Sequence, residues 1–100
     1  MKQVLSHSDA DEEWQASVDF YGAINPKVAF DFNERIRHAF KEIARNPERY
    51  SFVREMPPVR HYRLKRFPFS IIYLERRDYI WVLAVAHSSR RPGYWKNRLR

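Results

Sequence analysis

The feature that most constrains the fold of this chain is the segment Tyr79 to Ala86, its longest apolar stretch. It is far shorter than the roughly 20 apolar residues that cross a bilayer, and its length is that of a β-strand. A strand of this kind has to be buried. Two segments just upstream fit beside it. In the first, Tyr62 and Leu64 alternate with His61, Arg63 and Lys65, as strand side chains pointing to opposite faces do. A short break at Arg66-Phe67-Pro68 leads to the second, Phe69 to Leu74, and the polar turn Glu75-Arg76-Arg77-Asp78 leads on to Tyr79. Three consecutive strands predict an antiparallel meander with one face to be covered.

The N-terminal half supplies the cover. Val4 and Leu5 suit a short first strand, ended where Ser8 or Asp9 caps a helix, with Asp11 or Glu12 three residues on and acids complementing the helix dipole. Ala10, Trp14, Val18 and Tyr21 then share one helical face, and Gly22 is the expected end. Asn25-Pro26 predicts the N-cap and first position of a second helix, since proline lacks the N–H that goes unpaired there. Its apolar stripe is Ala29, Phe32, Ile36, Ala39, Phe40 and Ile43, and it stops at Asn46-Pro47.

With 100 residues, 44% of them hydrophobic, the chain can bury one core, so residues 1–100 form a single domain on this reading. The fold class is α+β: a short N-terminal strand and a two-helix hairpin packed on one face of a three- to four-stranded antiparallel sheet. Trp14, Phe32, Ile36, Phe40, Ile72, Leu83 and Val85 are the expected core.

The formal charge of +7 is uneven. Residues 1–50 carry 7 Lys/Arg against 9 Asp/Glu, whereas residues 51–100 carry 12 against 3. Such a basic half favours encounter with nucleic acid or an acidic protein, although a solubilising surface accounts for it too. There is no cysteine, hence neither a disulfide framework nor a thiolate metal site. The N-terminus lacks the apolar run of a secretory signal, and the expectation is a soluble cytoplasmic protein without a membrane contact.

Three constellations could carry chemistry. His61, Arg63 and Lys65 put potential cations on one strand face, where they could hold a phosphate backbone; a solvated outer face explains the pattern equally well. His87 ends the apolar strand, a place for a general acid or base or for structural hydrogen bonds. Arg90, Arg91, Tyr94, Trp95, Lys96 and Arg98 interleave cations with aromatics, which suits clamping a backbone and stacking a base. The competing reading folds Tyr94 or Trp95 back over the sheet, because adjacent free aromatics make a costly patch. The four histidines have no metal-ligand spacing, so neither a metal nor any other cofactor is expected. With only Gly22 and Gly93, no Gly-rich phosphate loop can form, and serine-nucleophile signatures are absent.

The order of elements, together with "RLKRFPFSIIYLE", "YIWVLAVAH" and "SSRRPGYW", resembles the RelE/ParE superfamily of toxins from bacterial type II toxin–antitoxin systems, the plasmid-stabilisation type. The likeness covers almost the whole chain and implies a RelE-like fold. RelE-like members cut messenger RNA in the ribosomal A site without a metal. On that branch His61, Arg63, His87, Arg90 and Tyr94 are the implied catalytic candidates. Ser70 and Ser88 stand where those ribonucleases tend to have arginine, and a hydroxyl cannot replace a permanent charge. ParE-like members poison DNA gyrase and are not nucleases, and the Phe67-Pro68-Phe69 corner with "AVAHSSR" is more similar to that branch. The resemblance therefore implies a growth-inhibiting toxin, ParE-like before RelE-like, with a binding module that has lost toxicity as a third form. It also implies a cognate antitoxin, a higher-order complex with it as one form of the pair, and Arg63, Lys65, Arg90, Arg91 and Trp95 as contacts to target or antitoxin.

Overall fold

A computed structural model describes residues 1–99. Strand β1 (Gln3–Ser6) leads into helix α1 (Ser8–Ile24) and helix α2 (Pro26–Arg45). Then come β2 (Arg60–Arg63), β3 (Phe69–Glu75), β4 (Tyr79–His87) and a short 3-10 helix at Lys96–Leu99. The strands lie in the order β1-β4-β3-β2. β2, β3 and β4 form the expected antiparallel meander, but β1 runs parallel to β4, so the sheet is mixed rather than antiparallel. The reason is connectivity: the helical crossover returns β2 parallel to β1, and the two reversals that follow give β4 the direction of β1 again.

The helices begin and end largely where local chemistry directs. Asn25 alone joins them: its N–H donates to the Tyr21 carbonyl at 2.8 Å, and its side chain accepts from the Lys27 N–H at 2.9 Å. Helix α1 thus runs two residues past Gly22. Its N-cap is neither Ser8 nor Asp9 but His7, whose Nδ1 accepts the Asp9 N–H at 3.0 Å. His7 is still held to the sheet, donating its own N–H to the Val82 carbonyl at 2.9 Å, so pairing with β4 decides where the helix can start.

On the helix side of the sheet, Phe32, Ile36, Ala39 and Ile43 of α2 meet Phe69, Ile71 and Tyr73 of β3 and Ile80, Val82 and Val85 of β4. The Phe67-Pro68-Phe69 corner belongs here, with Phe67 and Phe69 each about 5 Å from the Phe32 ring. Of the expected core, Phe32, Ile36, Ile72, Leu83 and Val85 are buried. Trp14 and Phe40 are only half-buried: they pack on each other at 5.3 Å along the outer seam of the helix pair, and the Trp14 indole donates to Asn33 at 2.9 Å.

The other sheet face is covered as well. Val59, Ile72, Leu74, Leu83, Ala84 and Trp95 form a second apolar cluster there, closed by the loop before β2 and by the C-terminal tail. Both faces of β4 are therefore dry, which is why Tyr79 to Ala86 is apolar throughout. A β-bulge lies in β4: Tyr73 pairs with Val82 and Ile72 with Ala84, leaving Leu83 as the extra residue. Beyond it the alternation is inverted, so Val85 and His87 face the helices while Ala84 and Ala86 face away.

Candidate functional site

The candidate site lies where β4 gives way to the tail. Ser88 donates its N–H to the Pro68 carbonyl at 2.8 Å, tying the turn to the corner, and Arg90 donates to the His87 carbonyl at 3.0 Å. The His87 ring stands edge-on to Phe69, opposite it across the strands, 4.9 Å between centroids. Its Nδ1 accepts the Ser89 N–H at 3.0 Å and lies 2.8 Å from the Ser89 hydroxyl. The structure thus gives His87 hydrogen bonds of the kind that stiffen a turn. Gly93 then reverses the chain with φ +76°, and a Cβ there would come within 2.6 Å of the Lys96 side chain.

Tail and helix meet at Glu13. The Arg98 guanidinium grips its carboxylate at two points, both 3.0 Å, and the Tyr94 hydroxyl donates to it at 2.7 Å. The Val85 N–H donates to the same carboxylate at 3.0 Å, and Arg98 also donates to the Leu83 carbonyl at 3.1 Å. The cause is a missing strand. Pairing of β1 with β4 ends at Ser6 and Val82, so the β4 edge beyond it needs other partners, and Glu13 and Arg98 supply them. The side chains of Arg98 and Glu13 are 10% and 16% exposed. Burial works against the Arg98 charge, but the Glu13 hydrogen bonds and the carboxylates of Glu13 and Asp9 outweigh it and raise its pKa. Burial first, then the Glu13 carboxylate, pushes the Tyr94 hydroxyl well above the ordinary tyrosine value. Two cations lie against the Tyr94 ring, the guanidinium of Arg90 at 3.9 Å and that of Arg98 at 5.1 Å from its centroid.

On the sheet face away from the helices, tail and strands enclose a cleft of about 240 Å³. Arg54, His61, His87, Arg90 and Arg91 line it, together with Ser70, Ser88 and the apolar Val53, Ile72 and Trp95, and there is no carboxylate among its described lining residues. It suits an anion.

The structure brings only some of the expected residues together here. His61, His87, Arg90, Arg91, Tyr94 and Trp95 line the cleft. Arg63 and Lys65 do not: they line a separate cavity against α2. The strand ends at Arg63, so the alternation that would have kept Lys65 on the outer face beside His61 has already stopped. Trp95 is 3% exposed: it packs into the second cluster, supports the tail from beneath and forms part of the cleft's wall. Both aromatics of the tail fold back. Sequence reasoning missed Glu13 and Arg54, and it counted Arg98 only as one more tail cation. No spacing signal links Glu13 to Arg98, 85 residues away.

Residues 4–92 match the family model described as the ParE toxin of the type II toxin–antitoxin system parDE. Among solved structures, one described as the chromosomal ParDE TA system from P. aeruginosa is similar, with a TM-score of 0.76 and 24% sequence identity. The match covers 87% of this chain and 96% of that one. Comparison with curated proteins finds no match.

Proposed function

Since the chain belongs to the ParE toxin family of type II toxin–antitoxin systems, we propose that it stops growth by binding and poisoning DNA gyrase, using the cationic cleft beside its tail, and that it does not cut RNA. The observation that carries this reading is the Tyr94 hydroxyl. It is committed as a donor to Glu13 and holds its proton far above neutrality, so it is poorly placed to act as a base on a ribose hydroxyl. At Ser70 and Ser88, where RelE-like ribonucleases tend to carry arginine, the cleft has only hydroxyls, so the fixed charge those two positions would lend a scissile phosphate is missing. Arg54, Arg90 and Arg91 fit instead as contacts to an acidic protein surface.

The partner that restrains this toxin is, on the same reading, a cognate antitoxin whose acidic residues cover Arg90 and Arg91 and reach Arg63 and Lys65. Two assays test the proposal. Purified gyrase should lose supercoiling activity and accumulate cleaved DNA when the chain is added. Purified ribosomes carrying message should show no new cleavage. Message cut in the ribosomal A site, with gyrase unaffected, would replace this reading with the endonuclease one.

A further inference from the structure

The molecule carries a second basic cavity that shares no lining residue with the tail cleft. It is a recess of about 350 Å³ between α2, the loop that follows it, and the outer end of β2. Five potential cations converge on it: Arg35 and His38 from α2, Arg49 from the loop, Arg63 from the end of β2 and Lys65 just beyond it. None of the five takes part in an ion pair among the described residues, whereas Lys2, Arg37, Arg45, Arg66 and Arg98 all do. The single carboxylate lining the cavity, Glu42, is already engaged by Arg45 at 3.2 Å.

Its wall is aromatic. Tyr50 and Tyr62 meet edge to face, 4.8 Å between centroids, and both are only half-buried. Cations alone would suit any anion, an acidic peptide included. Ring faces beside unneutralised cations suit a ligand that joins a flat aromatic group to a phosphate, because bases stack on tyrosine and carboxylates gain nothing from it. A duplex hides its bases from such a wall, whereas a single strand offers them.

We propose that this cavity binds single-stranded nucleic acid, with a backbone phosphate held among Arg35, Arg49, Arg63 and Lys65 and a base stacked on Tyr50 or Tyr62. The assignment goes beyond gyrase binding and does not depend on it. Its test needs no gyrase.

The experiment is fluorescence anisotropy of a labelled twelve-nucleotide oligothymidylate with the purified full chain, from about 50 to about 300 mM salt. Binding should weaken with salt by about 0.7 log units per log salt for each phosphate contacted. The double variant R35Q/R49Q should flatten that slope by about 0.7, the share of the one phosphate held here, with an unchanged melting temperature. Tyr50→Leu should keep the slope and weaken binding about tenfold. R90Q/R91Q, in the tail cleft, should leave the slope as it is. The proposal is overturned if the tail pair flattens the slope and R35Q/R49Q does not. It is equally overturned if no binding occurs at low salt, or if polyglutamate competes as well as unlabelled oligothymidylate while Tyr50→Leu changes nothing.

Discussion

Glu13 and Arg98, 85 residues apart in the chain, form a two-point ion pair that closes the unpaired half of β4, one partner accepting the Val85 N–H and the other donating to the Leu83 carbonyl. Tail, first helix and sheet edge thereby become one unit. Arg90, Arg91 and Tyr94 stand where they do because this unit holds the tail down.

Removing one member should therefore cost more than a surface ion pair does. Arg98→Ala leaves a mostly buried carboxylate short of two donors and a strand edge short of one, and we expect a loss of about 3 kcal/mol. Glu13→Leu/Arg98→Met together should recover part of it, since no charge is then stranded. Urea denaturation of the two variants and the unmodified chain measures both effects; a loss below about 1 kcal/mol for Arg98→Ala would show that the pair is incidental.

The two phenylalanines of α2 should separate cleanly. Phe32 is fully buried among Tyr21, Phe67 and Phe69, so Phe32→Ala should cost about 3 to 5 kcal/mol. Phe40 keeps one side open to solvent beside Trp14, and Phe40→Ala should cost about half as much. Equal losses in urea melts would contradict the difference in burial.

Alkaline pH should destabilise the fold through its tyrosines. Burial raises Tyr73 and Tyr94 above the value of 10.0 that an unfolded tyrosine has. Around and above that pH the folded chain binds more protons than the unfolded one, so stability falls as pH rises. Melting temperatures should be insensitive to these groups below about pH 9 and decline above about pH 10. Tyr94→Phe keeps the ring against Arg90 and Arg98 and should remove part of that decline, at a cost of about 1.5 kcal/mol for the lost hydrogen bond to Glu13. A variant whose alkaline profile matches the unmodified chain would sink the assignment to Tyr94.

Growth inhibition should follow the charge of the cleft and not its hydroxyls. R90Q/R91Q removes exposed cations without disturbing the core, and growth inhibition, with gyrase inhibition on the proposed reading, should fall about tenfold or more with unchanged stability. Ser70→Ala and Ser88→Ala should leave inhibition within about twofold, the serines having no assigned part in binding. The opposite ranking, serines sensitive and arginines silent, would argue against electrostatic docking through this cleft.

The sequence by itself determined what depends on near neighbours. Asn25-Pro26 and Asn46-Pro47 set helix boundaries because caps and prolines act within one turn, and the stripe from Ala29 to Ile43 selects a buried face because helical period is a local property. The three-strand meander followed from short polar breaks between apolar runs. Tertiary structure decided the rest. The bulge at Leu83 is invisible in a strand apolar on both faces, yet it turns Val85 and His87 toward α1. His7 caps α1 because pairing with β4 extends that far. The tail placed cations and aromatics in alternation, but which of them reach solvent depends on Glu13 and on the cluster that takes in Trp95. Likewise His61 shares a cleft with Arg90 and Arg91 while Lys65 faces α2, since strand alternation holds only as long as the strand does. Contacts between residues far apart in the chain leave no spacing to read, because backbone geometry fixes directions over a few residues and packing fixes them over the rest.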